Sequence, residues 1–382
     1  MGGSTGSVGA DRPRHGVTAL LSDVFRLSPA GLNWPRAVFF LDVGLIPLIV
    51  MWAVGHEQYL LSALFGLLFT ALVDPGGSYR HRAVHIGGFA LLGAGLTAWA
   101  FGMGAEAWGW FVLAAFAVTL AAGLAVVFGV HRFVAALLLN VWFIVALALS
   151  SELHHTRIPD YVWAQTLAWV GGAALWLVMA LLWWLVRGRP ELPAPIAELP
   201  GDTERRALTK PVVLFAAIRA LAIAGSTALA FGLGLSHGYW MPIATLIAMK
   251  PSLGQATTFA VQRIAGALIG AAAAMLLLLI PASENGLRLF VIDRGLEVVA
   301  LVLFVHAAAT RFWNYAIYCA FIAAGVLTLL DLTQPSNYGA EGDRVLWTLS
   351  GVGIGVLVLL LAELLGKRTT RHASTSSSRH TA

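Results

Sequence analysis

The sequence is poor in charge. Only 11% of its 382 residues are Asp, Glu, Lys or Arg, whereas soluble proteins carry about 25%. Hydrophobic residues make up 59% of the chain, and the mean hydropathy is +0.80. This composition excludes an ordinary soluble domain. It predicts a polytopic, all-α membrane protein whose helices contact the lipid bilayer.

Cysteine and catalytic motifs are also scarce. The single cysteine, Cys319, lies in an apolar segment, which excludes a disulfide framework. We find no nucleotide-binding loop, nucleophile elbow or Ser/His/Asp arrangement. His154 and His155 have no second ligand cluster at metal-site spacing. We therefore expect no enzyme activity, no cofactor and no metal site.

The apolar segments divide the chain into two halves of similar length. We count about twelve apolar transmembrane segments, six on each side of a Pro-rich linker. The predicted organisation is a disordered tail (1–30), a first membrane repeat (31–186), a linker (187–211), a second membrane repeat (212–366) and a disordered basic tail (367–382).

The net charge of +5 comes from basic residues in short loops and tails, a distribution that sets membrane orientation rather than nucleic-acid binding. If both termini are cytoplasmic, the outer loops hold few of the 24 Lys and Arg residues, namely Arg157, Arg288, Arg294 and Arg344. The linker and both termini are therefore predicted on the cytoplasmic side of the inner membrane.

Matching positions indicate an internal duplication. The pairs Arg132-Phe133 and Arg311-Phe312 are 179 residues apart, and Gly172 and Gly351 have the same separation. Because six helices per copy is an even number, the repeats would be parallel and related by an axis along the membrane normal. A site shared by both halves would then lie near that axis.

One apolar segment is too short to cross the membrane. From Gly238 to Met249 a helix would be about 18 Å long, against a hydrocarbon core of about 30 Å. Lys250 and Pro251 then interrupt the segment. A helix broken inside the membrane usually lines a cavity, because irregular backbone is not tolerated facing lipid.

We place a hypothetical substrate site at this break. Lys250 is either an anchor whose ammonium reaches the headgroups or a fixed cation beside the next helix N-terminus, where an anion would bind. Arg263 is a second cation or the partner of an acid. The predicted substrate-binding residues are Lys250, Ser252, Gly254, Thr257, Arg263 and Trp240.

Predictions follow for several other residues of the apolar segments. Tyr239-Trp240 are typical of an interfacial anchor, with aromatic stacking as the alternative. Gly266 and Gly270, at i and i+4, favour close helix packing. Asp42, inside the first helix, and Asp74, the counterpart of Lys250, are the hypothetical coupling or gating acids, although Asp42 would also suit a salt bridge to an Arg.

The residues around the break also resemble a known signature. They read His237-Gly238-Tyr239-Trp240-x-Pro242-x-x-Thr245, then Pro251-Ser252-x-Gly254, then Gln262-Arg263-x-x-Gly266-x-x-x-Gly270. This pattern resembles the fusaric acid resistance family, bacterial inner-membrane proteins that include aromatic carboxylic acid exporters. Plant aluminium-activated malate channels are similar over the same helices.

The resemblance implies export or conduction of organic anions through a pore between two six-helix units. It is strong over 212–366 and weak over 31–186, where Tyr59-Leu60 and Asp74 replace Tyr-Trp and the lysine. We expect an exporter of organic, aromatic carboxylates; the alternatives are a passive anion channel and a non-transporting scaffold. A homo-oligomer or an accessory export protein is left open.

The predicted topology can be tested by cysteine labelling in a Cys319→Ser background. Single cysteines at Ala194 and Ala373 should be protected from impermeant reagents in intact cells, because the linker and the C-terminal tail are predicted inside. Cysteines at Ser283 and Asn337 should react. Labelling of Ala194 from outside would contradict both the orientation and the duplication.

Overall fold

A computed structural model describes residues 25–29, 31–76, 78–156, 161–187, 207–249, parts of 261–277, 292–330 and 346–358, with Asp343 and Leu361. Within these residues the regular structure is helical. The helices are α1 Trp34–Val54, α2 Leu60–Val73, α3 Tyr79–Gly102, α4 Trp108–Leu124, α5 Val130–Thr156, α6 Val162–Arg187, α7 Lys210–Gly232, α8 Trp240–Ala248, α9 (within 261–277), α10 Ile292–Thr310, α11 Tyr315–Leu330 and α12 Leu346–Val358.

Six of these helices are long and apolar enough to cross a membrane. They are α1, α3, α4 with its following 3-10 turn, α5, α6 and α7. Their outward faces are apolar; Leu91 of α3, for example, is 75% exposed and Leu221 of α7 is 62% exposed. Such surfaces are stable against lipid chains and not against water, so the prediction of a helical membrane protein is confirmed.

Two helices are markedly short. Helix α2 has 14 residues and α8 has nine, which gives about 21 Å and about 14 Å of helix. After Ala248 the backbone leaves the helical region at Met249, with φ −90° and ψ 68°. The predicted early end of this helix is confirmed, while Lys250 and the segment to Ala260 lie outside the described residues.

The halves meet mainly in two helix pairs. Helix α4 packs against α7, and α10 packs against α1. If the last six helices repeat the first six, then α10 corresponds to α4 and α7 to α1, so the two interfaces are copies of each other. This pairing is what a two-fold relation along the membrane normal would produce.

Glycines let helices approach closely at positions that also match between halves. A methyl group added at Gly172 of α6 would overlap the carbonyl of Ala63 in α2. One added at Gly351 of α12 would overlap the carbonyl of Met241 in α8. The two glycines predicted to be equivalent therefore make the same kind of contact with the two short helices.

The predicted packing role of Gly266 and Gly270 is confirmed. Added methyl groups at these positions in α9 would overlap the carbonyls of Ala316 and Ala320 in α11. Because every fourth residue faces the same neighbour, the i, i+4 spacing brings two helix backbones together along one full turn.

Helix α5 lies in the middle of the first half. Its Trp142 is fully buried and stacks on Trp169 of α6, with ring centroids 5.0 Å apart. The indole Nε1 of Trp142 donates to Thr97 Oγ1 at 2.8 Å, which ties α5 to α3. Inside a bilayer a buried indole N–H needs an acceptor within the protein, and Thr97 supplies one for Trp142.

The end of the N-terminal tail is held against the second half. Ser28 N donates to Trp313 O at 2.7 Å, and Asn33 N donates to Ala309 O at 2.9 Å. These bonds place the start of α1 beside the α10–α11 turn, which contains Arg311. We call this side of the bundle the Arg311 face, and the side where α1 ends and α10 begins the Glu297 face.

The close contact at Gly172 predicts a position-specific effect on stability. Gly172→Ala should lower the free energy of unfolding by about 1–3 kcal/mol, because the added methyl group forces α6 away from α2. Its neighbour Gly171 is the control, since a methyl group there meets no atom within 4 Å. Gly171→Ala should be neutral or stabilising by at most about 1 kcal/mol, as measured by thermal unfolding in detergent; equal losses for both variants would contradict the packing.

Candidate functional site

The structure describes one of the six residues predicted to bind substrate, Trp240. It is the first residue of α8 and is only 4% exposed. Its ring lies 5.7 Å from that of Tyr239, and its Nε1 has no hydrogen-bond partner among the described atoms. The interpretation as an interfacial anchor is wrong, because an anchoring ring would face the headgroups. The other five lie outside the described residues: Lys250, Ser252, Gly254, Thr257 and Arg263.

Asp42 lies halfway along α1 and is exposed. Its helix face also carries Val38 and Ile46, one turn away on either side, which are 49% and 39% exposed. The carboxylate therefore points away from the interface between the halves. No ion pair of Asp42 is found within the part of the chain that the structure describes, so the salt bridge considered for it is not seen there.

Asp74 ends α2 and holds three helices together. Arg82 of α3 donates two hydrogen bonds to its carboxylate, from Nε to Oδ1 at 2.9 Å and from Nη2 to Oδ2. Trp176 of α6 donates its indole N–H to Oδ2 at 3.2 Å, and Gly76 N donates to Oδ1 at 3.0 Å. The side chains of Asp74 and Arg82 are 5% and 10% exposed. A gating role for Asp74 stays a prediction and would require this network to open.

Two buried arginines stand at the ends of the short helices. Arg311 donates from Nη2 to the carbonyl of Leu72, near the end of α2, at 3.1 Å. Arg219 of α7 donates from Nη2 to the carbonyl of Leu246, near the end of α8, at 3.4 Å. The last carbonyls of a helix lack partners within the helix and carry the negative end of its dipole, so a cation is favourable at both places.

Arg311 opens into a crevice between the two halves. The crevice has a free volume of about 20 Å³, and four aromatic rings contribute to its wall: Phe40 of α1, Trp176 of α6, Phe304 of α10 and Tyr318 of α11. Leu68 and Leu72 of α2, with other aliphatic residues, complete the lining. The crevice thus combines one cation with flat apolar rings, which suits a ligand with a carboxylate at one end and an aromatic body.

A second crevice continues the first toward the Glu297 face. It has a free volume of about 10 Å³ and shares Phe40, Leu68 and Phe304 with the first. Gly44 and Leu301 lie on its wall. We call the two together the seam crevice. It is narrow, so its side chains must move apart to admit an organic anion.

The seam crevice follows one face of two helices. On α10 its lining residues are Leu301, Phe304 and Ala308, and Arg311 continues that face beyond the helix end. On α1 they are Phe40 and Gly44. Spacings of three and four residues place side chains on one helix face, so the crevice is a property of the α1–α10 pairing.

Sequence reasoning assigned Arg311 to membrane orientation and gave Arg219 no specific role. The available signal was the repeated Arg-Phe pair, but its two members differ in the structure. Arg132 is exposed and lies 6.0 Å from the ring of Phe128, whereas Arg311 is buried. Burial depends on which residues the fold places around each guanidinium. The repeated Arg-Phe pair therefore could not predict that Arg311 is buried and Arg132 is exposed.

These observations define an integral membrane protein of transport type, with apolar helices and a cation-bearing crevice between two halves. Residues 221–358 match the family described as fusaric acid resistance protein-like. The matched segment runs from α7 to the end of α12 and includes the broken helix and Arg311. The chain therefore contains a fusaric acid resistance-like domain, and the resemblance predicted from the signature is confirmed. No curated protein and no solved structure matches the chain.

The hydrogen-bond network of Asp74 predicts that replacing this carboxylate by an amide lowers the stability of the protein strongly. Asp74→Asn should destabilise the protein by about 3–5 kcal/mol, because it leaves the buried Arg82 guanidinium without its counter-charge. Glu106→Gln, which removes an exposed carboxylate, should change the free energy of unfolding by less than about 0.5 kcal/mol. Thermal unfolding in detergent measures both; equal small shifts would show that the ion pair adds little.

Proposed function

We propose that the protein carries organic anions, aromatic carboxylates in particular, across the bacterial inner membrane through the seam crevice. The observation that carries this proposal is Arg311, a buried cation in a wall of aromatic rings where the two halves meet. Transport between two repeats of six helices requires a site near their common axis, and the crevice is formed by helices of both halves.

The chemistry of the crevice favours this substrate class. A guanidinium binds a carboxylate with two parallel hydrogen bonds, and each charge-assisted bond is stronger in a site that excludes water. The rings of Phe40, Phe304 and Tyr318 offer faces and edges against which an aromatic acid can pack. A purely aliphatic or cationic solute would gain less from the same surroundings.

The broken helix supports the same function from the other half. Arg219 and the predicted Lys250 site both lie at or beyond the end of α8, and α8 corresponds to α2 in the proposed duplication. In this proposal each short helix ends beside a cation. Arg311 lies at the end of α2, and Lys250 follows the end of α8 in the sequence. Outward transport, cytoplasmic termini and the absence of an enzyme activity belong to the same proposal.

The test compares Arg311 with its counterpart in the first half. Arg311→Gln should weaken benzoate transport about 10- to 150-fold, the effect of losing a charge-assisted hydrogen bond worth about 1.5–3 kcal/mol. Arg132→Gln removes the same charge from an exposed position and should keep transport near the wild-type level. The measurement is flux of labelled benzoate from liposomes that contain the purified full-length protein, with flux from protein-free liposomes subtracted.

The same assay distinguishes the alternatives. Equal transport by wild-type protein and Arg311→Gln would remove the seam crevice from the path, and no protein-dependent flux would favour a non-transporting scaffold. Benzoate that moves only down its own concentration gradient, with or without a pH gradient, would favour a passive channel. Lys250→Met, expected to weaken binding by a similar factor while preserving folding, tests the second half of the site.

A further inference from the structure

The α10 face that lines the seam crevice carries a buried acid one helical turn beyond the lining residues, on the side opposite Arg311. Glu297 of α10 is 4% exposed and accepts a hydrogen bond from the indole Nε1 of Trp52 in α1. It lies one helical turn before Leu301, which lines the crevice. Along α10 the spacing from Glu297 through Leu301, Phe304 and Ala308 to Arg311 is four, three, four and three residues, so all five lie on one face.

The matching face of α1 carries Phe40, Gly44 and Trp52. Phe40 and Gly44 line the crevice, and Trp52 holds Glu297 two turns beyond Gly44. An anion moving along the α1–α10 seam would therefore meet a cation first and a carboxyl group last. The two charged groups are about 20 Å apart along the helix.

We propose that Glu297 is a proton-operated gate at the outer end of the seam crevice. When its carboxyl is ionised, the negative charge repels the substrate anion in surroundings of low dielectric constant. When it takes a proton from the aqueous phase at the Glu297 face, that repulsion ends, and the proton returns to the same phase when the gate closes. The inference rests on the proposed function and adds its regulation.

Other ionisable residues belong to the segments that meet at the Glu297 face. His56, Glu57 and Tyr59 lie in the α1–α2 turn on the same face, and Asp293 and Arg294 precede Glu297 on its own helix. Trp52 contributes a neutral donor from α1. Glu297 differs from His56 and Glu57 because it is buried, and from Asp42 because its side chain lies in the interface between α1 and α10.

The sign of the pH dependence follows from the charge. As the pH rises, Glu297 ionises and benzoate flux by the wild-type protein should fall. Glu297→Gln keeps a hydrogen-bond acceptor for Trp52 but cannot ionise. Its flux should be insensitive to pH, and at the alkaline end it should exceed the wild-type flux about tenfold or more.

Two matched variants accompany this measurement. Glu297→Asp keeps an ionisable group and should retain the pH dependence. Glu106→Gln removes an exposed carboxylate from the same face of the bundle and should also behave like the wild-type protein. Flux is measured in liposomes with the same pH on both sides, so the orientation of the inserted protein does not matter, and benzoate leak through protein-free liposomes is subtracted at each pH.

The outcomes separate this inference from the proposed function. Wild-type benzoate flux that depends on Arg311, together with an unchanged pH dependence in Glu297→Gln, would overturn the gate and leave the transport function intact. Loss of the pH dependence in Asp42→Asn instead would assign the proton site to Asp42 and also overturn it. If Glu297→Gln fails to fold in detergent, Glu297→Asp decides the question. Lower stability with a pH profile identical to the wild-type profile would make the carboxyl group only structural and overturn the gate, whereas a pH dependence with a shifted midpoint would support it.

Discussion

The structure depends on the requirement that backbone groups inside a bilayer find hydrogen-bond partners within the protein. A full-length helix meets this requirement by itself, but α2 and α8 end early, and their last carbonyls need donors from elsewhere. Arg311 and Arg219 supply them, at Leu72 and Leu246. Arg311 belongs to the second half and Leu72 to the first, so the end of α2 brings a buried cation to the contact between the halves.

Close helix packing gives the crevice its form. Gly44 of α1 faces Leu301 of α10, and a side chain at Gly44 would press against it, so these helices approach each other along the wall of the crevice. On the opposite side of α2, Gly172 lets α6 pack against its backbone. Helix α2 is thus packed closely on one side and borders the crevice on the other.

Acids in this protein have different roles because their surroundings differ. Asp74 is held by a bidentate guanidinium and an indole N–H, which fixes it as a link between three helices. Asp42 is exposed on the outer side of α1, and Glu297 is buried where α1 and α10 meet. Asp42 drew attention in the sequence because it interrupts an apolar segment. Glu297 did not, since it lies near the start of its segment and resembles a loop acid.

The sequence by itself determined the class of this protein. Hydropathy and helix length follow from local composition, so the apolar segments, the early end of α8 and the packing role of Gly266 and Gly270 could be predicted. The family signature is also a local pattern. Only the tertiary structure decided that Arg311 is buried while Arg132 is exposed, that Trp240 lies in the core, and that Glu297 is buried where α1 and α10 meet. Burial and juxtaposition depend on which helices become neighbours, and residues such as Trp52 and Glu297 are brought together from distant parts of the chain by packing that no single segment encodes.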